Sequence, residues 1–184
     1  HNPWDITQGM TELYSDEQFP PAFEHHQFDS GTINAVRQNY SAMVENIDLL
    51  SGLLINEVEK RGELDNTLIV FSSDHGEMLG AHGYKGNKRW PYDASLRVPF
   101  LARYPAAIDA GSILERPIGT PDLFPTLVEL AGITPPPGLD GRSATHALLT
   151  GDESDRDEHA YCAMPYAYVP WPGWRALRSA GHMY

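Results

Sequence analysis

A long amphipathic stretch running directly into a short β-branched one limits the fold of this chain more than any other feature. Tyr40, Met43, Val44, Ile47, Leu50, Leu54 and Val58 recur at three- and four-residue steps, which places them on one face of a helix. Lys60 and Arg61 suit the negative end of that helix, and Gly62 suits its C-cap. Thr67-Leu68-Ile69-Val70-Phe71 then reads as a strand buried on both faces, as in a parallel sheet. Helix followed by buried strand is half of a βαβ repeat. An α/β fold is expected, with a largely parallel sheet flanked by helices.

The remaining segments fit that frame. Residues 1 to about 32 hold Pro3, Pro20 and Pro21 and read as irregular. A second strand is expected over Val98–Arg103, with Pro99 marking an edge or a strand start. A second helix runs from Pro121 to Leu130, with Asp122 near its positive end, Leu123, Leu127 and Leu130 as its inner stripe, and Gly132 as its stop. A short helix is expected at 143–149. The acidic run from Asp152 to Glu158 reads as a solvated connection. An aromatic tail follows, with Trp171-Pro172-Gly173-Trp174 turning between two short strands.

Composition excludes several classes. The chain has 184 residues, 41% of them hydrophobic, which suits a soluble fold with a real core. No run approaches the ~18 apolar residues that a membrane span needs. Thirteen Lys and Arg against 25 Asp and Glu give a net charge of −12, the wrong sign for sequence-independent nucleic-acid binding. A small anionic substrate remains admissible wherever the local field is positive. Cys162 is the single cysteine, so neither an intrachain disulfide nor a Cys-rich zinc site is available.

The segment with the most chemistry is Ser72-Ser73-Asp74-His75-Gly76-Glu77, directly after the first strand. Ligand sites of open α/β sheets lie beyond the carboxyl ends of strands, and Asp oxygen and His nitrogen both bind divalent metals. A bare Asp-His-Gly also fits a helix cap at Asp74 with His75 on the surface. The loop that follows carries Lys85, Lys88, Arg89 and Arg97 against Asp93. A basic island beside a metal-ligand pair is what an oxyanion needs, although solvated loop charges give the same pattern.

The order of these segments resembles the sulfatases of the alkaline phosphatase superfamily. The resemblance rests on Tyr40, Asp48 and Gly52 in the helix and on Asp74 to Glu77 after the strand. It continues with His82, Gly83 and Lys88 in the loop, then Tyr92, Ser95, Arg97, Val98 and Pro99, then Asp122 through Ile133. Trp174-Arg175-Ala176-Leu177-Arg178 resembles the family's C-terminal hairpin. An alkaline-phosphatase-like fold is implied. Residues 1–150 would be the C-terminal part of the catalytic domain, and 151–184 a linker and the start of a small antiparallel subdomain.

The resemblance also implies roles. Asp74 and His75 look like two ligands of a single divalent metal, usually Ca2+, with Mg2+ or Mn2+ admissible. Many sulfatases carry Asn where this chain has His75, and His also occurs in related phosphonate and phosphodiester hydrolases. Lys88 looks like the lysine that contacts the transferring sulfate. Counting back from Tyr92 selects it over Lys85. His1, opening His1-Asn2-Pro3, resembles the histidine that assists the leaving group. The family's formylglycine nucleophile has no match, because Cys162-Ala163-Met164-Pro165 has its proline in the wrong place and no arginine following. The nucleophile is therefore expected upstream of a truncated chain. Substrates would be small or glycan-borne anionic esters. A non-catalytic binding chain, for which a missing nucleophile is the natural state, stays open.

Overall fold

A computed structural model describes residues 10–15, 19, 30–83, 88–164 and 173–184. Two compact units divide the chain: His1–Leu64 with His75–Val98, and Asp65–Asp74 with Pro99–Tyr184.

In the first unit, helix α1 runs over Ser30–Lys60. It ends where the apolar pattern predicts. Gly62 adopts φ +69°, its N–H donates to Glu59 O at 2.8 Å, and the Glu63 N–H donates to Val58 O at 3.2 Å. These two bonds close the helix in a Schellman-type turn that favours glycine. The first half of α1 is packed, with Ile33, Val36 and Ala42 buried. Arg37 Nε donates to Leu79 O at 3.0 Å, and Tyr14 donates its hydroxyl to Glu45 at 3.1 Å. From Val44 onward the helix differs: Val44, Ile47 and Leu50 are exposed, and Leu53 is 66% and Leu54 72% exposed. The predicted apolar stripe exists but faces no core among the described residues. Periodicity says which face seeks cover, not whether a given stretch of chain supplies it. No helix of the described residues is long and apolar enough to cross a membrane. A short helix, α2, spans Asp93–Leu96.

In the second unit, strand β1 (Ile69–Ser72) pairs with β2 (Phe100–Arg103). The pairing is antiparallel, with Ile69 opposite Arg103 and Phe71 opposite Leu101. Among the described residues β1 has this one antiparallel partner, so the expected burial of both faces in a parallel sheet is not seen there. Directly opposed residues share a face, and both Phe71 and Leu101 are exposed. The other face packs Leu68, Phe100 and Ala102 against Ile108, Ala144 and Leu148. The described strands thus give a mixed α/β chain with small antiparallel sheets. Strands β3 (Ala160–Met164) and β4 (Trp174–Arg178) form the second antiparallel pair, with Cys162 opposite Ala176. Trp171 and Pro172 of the expected turn lie outside the described residues.

Helix α3 (Thr120–Leu130) is fixed at its start by Asp122. One carboxylate oxygen accepts the Gly119 N–H at 2.9 Å and the other the Arg142 N–H at 2.8 Å. A carboxylate there satisfies donors that the helix itself leaves orphaned. Its inner face takes in only part of the leucine stripe read from the sequence, with Leu130 packed against the Ile108, Ala144 and Leu148 core. Pro125 and Thr126 are buried while Leu127 is exposed, because Thr126 bonds inward. Its hydroxyl donates to Asp122 O at 2.6 Å and accepts the Ala144 N–H at 2.9 Å, just ahead of helix α4 (Thr145–Thr150). The acidic run is likewise not wholly solvated. Glu153 accepts the Glu115 and Arg116 N–H groups, each at 2.8 Å. Arg156 is buried, 3.6 Å from Asp122 and donating to Pro117 O at 2.8 Å. Local composition favoured water there, and a distant carboxylate and carbonyl overrode it.

Candidate anion and metal site

The turn after β1 carries the first candidate ligands. The boundary between the two compact units falls between Asp74 and His75, so each is described within its own unit. Asp74 is exposed, and its Oδ1 accepts the Ser73 hydroxyl at 3.4 Å. His75 is half-buried, with Nδ1 2.9 Å from Gly76 O. A carbonyl oxygen only accepts, so the neutral ring carries its hydrogen on Nδ1 and its lone pair on Nε2. That is the tautomer in which Nε2 is the ligating atom. Carboxylate and imidazole together suit a divalent cation, but they supply two donors where Ca2+ takes six to eight. No group of three or more His, Cys, Asp or Glu placed to hold a metal occurs among the described residues. Each residue offers a donor of a kind found in such a shell, and neither completes one.

Downstream, in the first unit, a closed ring of contacts holds Lys88. The Gly76 N–H donates to Ser95 O at 2.7 Å, and the Ser95 hydroxyl donates to Lys88 O at 2.7 Å. Lys88 Nζ lies 4.0 Å from Glu77 Oε2, and Glu77 adjoins Gly76. Ser95 is fully buried, so its hydroxyl bond is shielded from competing water. Gly76 is required by contact rather than by φ: a Cβ there would sit 2.1 Å from Ala94 O. His82, at φ +52°, stacks on Tyr92 with ring centroids 3.8 Å apart. That stack joins the two flanks of the segment containing Lys88. The Lys88 side chain stays part-exposed, at 36%.

Of the other residues singled out from the sequence, His1 and Lys85 lie outside the described residues. Cys162 sits within β3, and burial holds its thiol above the ordinary range, the nearby Arg178 opposing only in part. A raised thiol suits a packed strand residue rather than a nucleophile. Sequence reasoning quoted Glu77 and Ser95 only as parts of a pattern and gave neither a role. The cue was available in Glu77, a carboxylate beside the metal-ligand pair and ahead of a basic loop.

The sulfatase family pattern matches residues 6–133. The chain belongs to the sulfatase family. Asp74, His75 and Lys88 all lie inside the matched span, and His1 precedes it. Among known sulfatases, an ulvan-active sulfatase of Formosa agariphila is 38% identical over 153 residues, which is 80% of this chain and 30% of that protein. A solved structure in complex with its substrate, D-glucosamine-2-N,6-O-disulfate, is 33% identical with a TM-score of 0.70, covering 82% of this chain and 31% of that one. A phosphonate monoester hydrolase of Agrobacterium radiobacter is 26% identical with a TM-score of 0.72, covering 86% of this chain and 36% of that one. The chain thus spans about a third of the length of these relatives.

Proposed function

We propose that this chain is the C-terminal part of a metal-dependent sulfatase that hydrolyses organic sulfate esters, small or glycan-borne. The observation that carries the reading is the family match over 6–133, which takes in Asp74, His75 and the anchored Lys88. In this reading Asp74 and His75 bind one divalent metal, Ca2+ by family habit, with Mg2+ or Mn2+ admissible. The metal, when bound, supplies Lewis-acid stabilisation of charge on the ester's oxygens. The formylglycine nucleophile and the remaining metal ligands belong to chain upstream of His1. Strands there would complete a largely parallel sheet and cover the exposed faces of α1 and β1. Residues 1–150 are then the C-terminal part of the catalytic domain, and 151–184 a linker and the start of a small antiparallel subdomain.

Lys88 is assigned to the sulfate oxygens. A preorganised ammonium aimed at developing negative charge lowers the barrier without reorganising in the transition state. His1 is assigned to protonate the departing alkoxide. His1→Ala should therefore slow esters of poor leaving groups more than those of good ones.

Paired kinetics of the full-length protein on an aryl sulfate and an aryl phosphonate ester test the reading. Sulfate preference in kcat/KM is expected. Phosphonate preference would install the second reading, a phosphonate monoester or phosphodiester hydrolase. That alternative is favoured by His75, where many sulfatases have Asn, and by the similarity to the Agrobacterium hydrolase. The 184-residue chain by itself should show no turnover, since the covalent route is absent from it. Robust hydrolysis by this chain alone would support neither reading.

A further inference from the structure

We infer that Glu77 is a positioning residue for Lys88, aiming its ammonium at the anion; the inference rests on the assignment of Lys88 above. The carboxylate is well placed to act as a fixed post. Its side chain is 9% exposed, and Oε1 accepts the Met78 N–H at 2.9 Å. Met78 is itself 1% exposed, so that bond ties the carboxylate to backbone inside the packed part of the first unit. The other oxygen, Oε2, is the one that faces Lys88 Nζ at 4.0 Å.

The separation matters. A lysine ammonium has three donors and a flexible stem, so a surface lysine samples many directions. At 4.0 Å, Glu77 attracts the ammonium without the short contact that would commit one of its protons to the carboxylate. The stem is held from the other end as well, because Lys88 O accepts the hydroxyl of fully buried Ser95. With the backbone tied by Ser95 and the head drawn by Glu77, the side chain has few directions left. Bond and charge thus order the ammonium before the substrate arrives. Preorganisation of this kind raises kcat rather than ground-state affinity.

A double-mutant cycle in the full-length protein tests this on an aryl sulfate. Glu77→Gln keeps an acceptor for the Met78 N–H and removes the charge. It should lower kcat about tenfold and leave KM within about twofold, a coupling of ordinary size for contacting residues. In the Lys88→Ala background the same change should cost less than about twofold, since a residue acting only through Lys88 has nothing left to act on. Glu77→Asp, which keeps the charge, should lose about threefold at most. Equal losses from Glu77→Gln in both backgrounds, or Asp no better than Gln, would assign Glu77 a merely structural part and overturn the inference while leaving Lys88 in place. Unchanged kinetics in Lys88→Ala would instead overturn the anion assignment and the inference together. Wild-type protein inert towards both sulfate and phosphonate esters would do the same.

Discussion

An acid–base pair in the second compact unit and one in the first are built for different purposes. Asp122 and Arg156 are 3.6 Å apart, with 5% of the arginine side chain exposed. Asp122 also accepts two backbone N–H groups, and Arg156 donates to a carbonyl. That pair is surrounded by internal partners, and its work is to hold α3 against the chain that follows. Glu77 and Lys88 are 4.0 Å apart, with 36% of the lysine side chain exposed. Here the acid is anchored and the base is presented. The contrast teaches that a carboxylate beside a cation is not evidence of function in itself. What matters is whether the cation's side chain is enclosed by protein, as at Arg156, or left part-exposed, as at Lys88.

Mutation should separate the two pairs. The largest effect is expected from Arg156→Ala, which leaves Asp122 without its buried partner and should cost about 3–5 kcal/mol of unfolding free energy in urea titrations. Turnover per folded full-length molecule should hardly change. If stability survives, the pair is not the lock described. Lys88→Ala should do the converse. It should lower kcat/KM at least ~100-fold, equivalent to about 2.7 kcal/mol of transition-state stabilisation, with stability within about 0.5 kcal/mol as at other part-exposed sites. A stability loss as large as that of Arg156→Ala would erase the distinction between the pairs.

Smaller effects sharpen the same contrast. Thr126→Val removes the hydroxyl between Asp122 O and the Ala144 N–H, leaving a buried amide without that acceptor. The cost should be about 1–3 kcal/mol, read from the denaturation midpoint, with no kinetic signature. Lys85→Ala should change kcat/KM by less than about tenfold, as expected of a charge at the rim. A larger loss at Lys85 than at Lys88 would mean that the wrong lysine has been assigned to the anion.

Much of the fold was readable from the sequence where local physics decides. The extent of α1, its glycine stop, the two strands and the span of α3 follow from periodicity, capping and turn chemistry. Readings that depended on partners far along the chain fared less well. Leu127 looked like core on α3, yet Pro125 and Thr126 face inward because Ala144 offers a donor to the threonine. Arg156 looked solvated in its acidic run, yet it is buried against Asp122. The stripe of α1 was correctly located but not its surroundings, since apolar spacing carries no information about the covering layer. At the candidate site, the residue types of Asp74, His75 and Lys88 pointed to chemistry. The ring through Gly76, Ser95 and Glu77 needed coordinates, because no spacing rule links a carbonyl at 88 to a hydroxyl at 95.

The bond from Ser95 to Lys88 O has a consequence for how such a loop can change length. It ties the lysine to what comes after it in the chain, while His82 is joined to the same downstream side by its stack on Tyr92. A residue gained or lost between Lys88 and Tyr92 would bring a neighbour's carbonyl to the Ser95 hydroxyl in place of Lys88's. The stretch from Lys88 to Tyr92 therefore acts as the ruler that decides which side chain stands at the lysine's address.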